Sequence, residues 1–175
     1  MSSITVDLSG LEKLIENLGK IPQEGGVKAG VLANERAGAG EVLDYAPIQE
    51  FGGSIVVTDK MRGYLGAVHD VHLKKTKTTI VIPPRPFLRI TCETKANEWV
   101  ECLAKGINKG IDESTLWELM GTRMQDDIKE TIRSNVPPEN SAMTKKFKKE
   151  NYPTHENDTL RMSDKLHNSI DYEVL

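Results

Sequence analysis

Five sets of residues, four with functional side chains and one a glycine loop, stand at spacings that could do chemistry. Ser141, His155 and Asp158 supply a hydroxyl, an imidazole and a carboxylate within one short stretch. Acyl transfer needs its serine on a sharp Gly-x-Ser-x-Gly elbow, and the residues around Ser141 do not form one. Glu93, Glu98 and Glu101 on one predicted helix, with Asp126 and Asp127 on the next, could face each other as paired carboxylates for metal-assisted hydrolysis. On amphipathic helices such residues are normally the wet side. His69-Asp70-Val71-His72 offers two imidazoles and a carboxylate, but i,i+3 spacing on an extended or turn segment points the rings apart. The glycines of residues 34–40 are not followed by the Lys-Ser/Thr of a phosphate cradle. The expectation is therefore a protein that is not an enzyme, with no metal and no cofactor. The fifth set is basic: Lys74, Lys75 and Lys77, then Lys145, Lys146, Lys148 and Lys149. Such clusters are ordinarily solvated surface; lining a DNA channel, they would make weak, non-specific, salt-sensitive phosphate contacts.

The chain that must position these groups has 175 residues, 38% hydrophobic and 28% charged, enough for one compact domain plus an arm. The expected division is an α+β core over 1–135 and an extended Pro/Lys-rich arm over 136–175. A formal charge of −3 and a pI near 5.9 give no global basic field. Cys92 and Cys102 fall on different faces of one predicted helix, about 15 Å apart along its axis, and cannot bridge each other. A reduced cytosolic history is expected. Met1-Ser2-Ser3 does not open a signal sequence, and the chain has no apolar run near the length of a membrane span, so no membrane partner is expected.

Along the chain, Ile4 to Leu8 alternates as a strand, and Ser9 can cap a helix carrying Leu11, Leu14, Ile15 and Leu18. Val27 to Ala33 predicts a second strand. Val42 to Phe51 predicts a short helix ended by Gly52-Gly53 as an αL cap, with Phe51 stapling its end and Glu50 solvated or paired. Ser54 to Thr58 follows as a third strand, and Asp59 to Thr79 reads as a protruding hairpin or lid. Thr78 to Ile82 is β-branched throughout and predicts a buried strand. Pro83 and Pro84 end it, and Pro86 suits the first turn of a helix, where a missing N–H costs nothing.

That helix runs from about Phe87 to Lys109 with Ala96, Trp99, Val100, Leu103 and Ile107 as its apolar stripe. Ser114 can cap a second long helix, 115–134, with Leu116, Leu119, Met120, Met124, Ile128 and Ile132. Trp117 falls off that stripe, as flanking core or as an exposed anchor for a neighbouring subunit. The fold class expected is α+β: a small mixed or antiparallel sheet packed by two long helices, with an extended C-terminal arm whose last segment, Tyr172-Glu173-Val174, is strand-like.

Four stretches resemble one family, in that family's order along the chain. Pro84-Arg85-Pro86-Phe87-Leu88-Arg89 resembles the Pro-x-Arg-Pro/Ser-Phe-Leu-Arg signature of the tail-completion and neck proteins of tailed phages. Ala46-Pro47-Ile48-Gln49-Glu50-Phe51-Gly52 is similar to their Ala-x-Ile-x-Glu-Phe-Gly segment, with Gln49 where His is common. Pro137, Pro138, Asn140, Ser141, Thr144 and Lys148 match Pro-Pro-x-Asn-Ser-x-x-Thr-x-x-x-Lys, and Leu166, Ser169, Ile170, Tyr172 and Val174 match a closing Leu-x-x-Ser-Ile-x-Tyr-x-Val. Leu160-Arg161-Met162-Ser163-Asp164-Lys165 departs from the family's Leu-Ile-Asp-Thr-Gly.

The resemblance implies a structural virion protein of a phage or prophage, assembled in the bacterial cytoplasm, that forms a homo-oligomeric ring at the neck or tail terminus. Its partners would be its own copies and neighbouring neck, portal-adaptor or tail-tube proteins, with at most non-specific contact to passing DNA. Phe51, Pro84 to Arg89, Trp117, Tyr172 and Val174 are the expected interface or motif residues, the terminal strand adding to a neighbour's sheet or completing its own. From a different class, a small DNA-binding regulator using its lysine clusters is the alternative.

Overall fold

The computed structural model describes residues 25–33 and 40–175; the expected strand at 4–8 and helix after Ser9 lie outside the described residues, as does most of the 34–40 loop. The fold is α+β, with six helices and two small antiparallel sheets of two strands each among the described residues. Strand β1 (Val27–Val31) pairs with the last strand, β4 (Ile170–Val174), in a register that sets Lys28 against Glu173, whose side chains form a 2.9 Å ion pair. Helix α1 (Gly40–Phe51) follows, continuing through Pro47, and gives Val42 and Ala46 to the core. Gly52 ends it at φ 75°, where a side chain would also collide with Pro84 and the Ile82 carbonyl; only glycine meets both demands.

Strands β2 (Gly53–Val56) and β3 (Thr79–Ile82) form the second sheet, Ser54 opposite Val81 and Val56 opposite Thr79. Between them, where a lid or hairpin is expected, lies helix α2 (Asp59–His69). Thr58 caps it by accepting from Met61 N, and Asp70 closes it in the left-handed region. Beyond it the Arg62 guanidinium donates to the carbonyls of Leu73, Lys74, Lys75 and Lys77, so one side chain shapes the whole basic turn. The two strands, α2 and this turn are called the wing below.

Helix α3 (Phe87–Asn108) leaves the proline corner, and α4 (Glu113–Arg133) packs beside it and beneath the β1–β4 pair. Asp112, rather than Ser114, caps α4 through Thr115 N at 3.0 Å. Trp99, Ile107, Leu116, Met120, Ile128 and Ile132 are buried as their stripes predict, and Phe87 is buried with them, whereas Ala96, Val100 and Leu119 are exposed. The pair is also joined by polar groups: Thr91 Oγ1 donates to Thr131 Oγ1 at 2.7 Å, and the Trp99 indole to Asp127 Oδ2 at 2.7 Å. Asp127 is thus buried between helices rather than on a wet face.

The stretch expected as an extended arm is folded onto its own chain. It forms α5 (Ala142–Asn151), a 3-10 turn (Pro153–His155), α6 (Lys165–Asn168) and β4, and Val136, Leu160, Leu166 and Ile170 belong to the central core cluster. Ser141 starts α5, its Oγ accepting from Thr144 N at 3.2 Å. Apolar side chains spaced along this polar stretch supply the burial, each large one contributing on the order of 1.5–3 kcal/mol.

Candidate functional site

At the prolines of positions 83, 84 and 86, three of the four motif stretches meet at a single corner. Pro86 starts α3 without a side-chain cap. The cap comes from the end of α1: the Glu50 carboxylate, 3% exposed, accepts from Leu88 N at 2.9 Å, Arg89 N at 3.1 Å and Arg89 Nε at 3.3 Å. A carboxylate at a helix N-terminus satisfies orphan N–H groups and meets the positive end of the macrodipole. Arg89 Nη2 returns a bond to the Glu50 carbonyl at 3.1 Å and its guanidinium lies 5.3 Å over the Phe51 ring, which is itself 69% exposed. Arg85 N donates to the Gln49 carbonyl, which joins α1 to the corner a second time.

The Arg85 side chain turns inward to the third motif stretch. It donates to the carbonyls of Pro138 at 2.9 Å and Glu139 at 3.3 Å and to Asn140 Oδ1 at 3.3 Å. Asn140 Nδ2 passes the link on to the Asp158 carbonyl at 2.7 Å, and Asn135 Oδ1 accepts from Thr159 N at 3.1 Å. Lys148 Nζ reaches the carbonyls of Asp158 and Arg161. Burial holds the ordinary proton affinity of both Arg85 and Lys148 down, since each cation has left water. His155 is clasped between Asp158 at 2.8 Å and Asp164 at 3.1 Å, and Arg161 holds Asp164 at 2.7 Å, drawing that carboxyl below its usual range.

Beside the corner is a groove of about 830 Å³ between α1, β3 and the 138–144 and 159–166 segments, with Arg85 and Lys148 in its lining.

This placement corrects several expectations. Arg85 and Phe87 are buried in their own chain and fix the corner instead of standing on an exposed subunit face, while Pro84 and Arg89 are exposed and Pro86 and Leu88 half-buried. Of the two arrangements expected for the terminal strand, the second is found: Tyr172 and Val174 pair with Ala29 and Val27 and complete the chain's own sheet. The Tyr172 ring packs on Gly121 and its hydroxyl donates to Glu118 Oε2 at 2.8 Å. Trp117 is half-buried and donates to Glu113 Oε1 at 3.4 Å. Lys148 is 3% exposed and leaves the basic cluster; Lys145 pairs with Glu139, whereas Lys146 and Lys149 are exposed, as are Lys74, Lys75 and Lys77. Both nitrogens of His155 are committed to aspartates, and Ser141 Oγ to the α5 cap, so these groups are joints of the C-terminal segment rather than parts of a loose arm.

Glu50, expected to be solvated or paired, is paired with Arg89, but sequence reading missed its capping of α3 and the burial of Lys148. The Ser-x-x-Thr spacing at Ser141 was the available signal for α5. Among the described residues, no cluster of three or more His, Cys, Asp or Glu could hold a metal ion, and no helix is long and apolar enough to cross a membrane. No protein-family model, curated protein or solved structure matches the chain.

Proposed function

We propose that this protein is a structural subunit of a phage or prophage particle, built into a homo-oligomeric ring at the neck or tail terminus. The four ordered motif stretches carry the likeness, and the convergence of the first three on one buried corner gives a physical reason for them to occur together. A ring protomer needs a rigid body and a surface that meets its neighbour. The C-terminal segment is spent on the body, so the neighbour-facing role falls to the wing.

One observation carries this assignment. Val56 and Val81 lie on the same face of the two-stranded sheet by its register, and they are 71% and 68% exposed. A two-stranded sheet with one apolar face open to water is marginal by itself and gains from being covered. The occupant we assign is a second copy, met head-to-tail, which closes into a ring when the rotation permits.

The test is electron microscopy of particles assembled after deletion of the gene. Full heads beside detached or overlong tails are expected. Normal infectious virions would remove the proposal.

A further inference from the structure

The groove beside the corner holds more positive charge than its walls answer. Glu41 pairs with Lys165 at 2.6 Å, Asp164 with Arg161 at 2.7 Å, and Glu139 with Lys145 at 2.7 Å. Arg85 and Lys148 remain, 6% and 3% exposed. Among the described residues neither forms an ion pair: Arg85 spends its bonds on two carbonyls and the Asn140 amide oxygen, Lys148 on two carbonyls. The carboxylate that acts on Lys148, Asp158, is already engaged by His155 at 2.8 Å and Arg161 at 3.4 Å. Two buried cations answered only by dipoles are expensive, and an anion brought to them lowers that cost.

The rest of the lining narrows the anion's class. Ile80, Ile82, Met143, Leu160 and Met162 make much of the wall apolar. Gln49 Oε1 and Thr159 Oγ1, on groove residues, are buried with no hydrogen-bond partner among the described residues, and Thr159 as a whole is 8% exposed. A peptide offers N–H groups to an amide oxygen and carbonyls to a hydroxyl; inorganic phosphate offers no N–H and no apolar body. A nucleic acid brings a row of phosphates past Glu41, Glu139 and Asp164 on the same walls, which repel it.

We propose that this groove binds a peptide segment of another protein in which one Asp or Glu is flanked by apolar side chains, the carboxylate directed to Arg85 and Lys148. This inference stands independently of the virion assignment, since it needs only the groove and its charges.

The test uses the full chain, immobilised and probed with a random library of short acetylated, amidated peptides, whose only carboxylates are side chains. Retained sequences should centre on an Asp or Glu beside Leu, Ile, Val, Met or Phe. For the tightest of them, Met162→Glu at the groove wall should weaken binding about tenfold while Met162→Lys should not. Lys148→Met should cut the preference for that Glu over Gln about tenfold. Should Lys148→Met fail to fold by circular dichroism, the Met162 pair, 42% exposed in the native protein, decides alone. Retention of no peptides, retention of neutral or basic ones, equal binding by the two Met162 variants, or stronger binding of inorganic phosphate or a single-stranded oligonucleotide overturns the proposal.

Discussion

Glu50 joins three backbone and side-chain donors at the start of α3 from 38 positions upstream, and it does so nearly out of water. Glu50→Gln keeps the shape but replaces one acceptor by an NH₂ that faces N–H groups. It should cost about 2 kcal/mol, read as a lower urea midpoint at unchanged slope. Nothing local in the sequence announces this cap, because cap signals are written within four residues of a helix start and Pro86 occupies that position. Lys148 gives a second test. Burial lowers its proton affinity in the folded state, so between that lowered value and the ordinary lysine value of 10.5 the unfolded chain binds more protons. Stability therefore gains a rising contribution with pH in that window. Lys148→Met removes that slope, so thermal melts across alkaline pH should show the wild type gaining stability relative to the variant as pH rises through the window, with a constant difference on either side of it.

At the scale of elements, α3 and α4 were legible because their stripes persist for several turns, and β3 because three prolines bound a β-branched run, although the burial expected of that strand is absent: none of its residues is buried and Val81 is 68% exposed. Helix α2 was not: Met61, Tyr64, Leu65 and Val68 do keep helical spacing, but Gly63 and Gly66 dilute it over only three turns. Helix α5 was hidden by its lysines, one of which folds inward against carbonyls. The pairing of β4 with β1 could not be chosen from sequence, since a terminal strand suits its own sheet as well as a neighbour's. What fixes it is α4, where Gly121 leaves room for the Tyr172 ring: a Cβ there would stand 2.1 Å from the ring. Gly121→Ala sets about 1 kcal/mol of improved helix propensity against an overpacking cost of roughly 1–3 kcal/mol or more. The clash should win. The variant should unfold at lower urea than wild type, and Gly121→Ala in a Tyr172→Ala background should instead be neutral or stabilising.

For the whole molecule, the corner and the β1–β4 pair make a body in which the first and last described strands are neighbours, while among the described residues nothing covers Val56 and Val81 on the wing's outer face. Val56 and Val81 sit diagonally across that face with Ser54 and Thr79 between them, and the adjoining turn carries Lys74, Lys75 and Lys77. Replacing both valines by Lys leaves the body's core untouched, since neither side chain belongs to it, and puts two cations where the next copy would have to desolvate them. If this face joins protomers, each valine removed from a buried contact withdraws on the order of 1.5–3 kcal/mol, and the pair should weaken association at least about a hundredfold. Sedimentation of the wild-type chain at increasing concentration should then show assembly, and the double variant, with an unchanged circular dichroism spectrum, should sediment as a monomer over the same range. Assembly that survives both lysines would move the subunit contact off the wing, because a single apolar face carrying two buried cations could not remain closed.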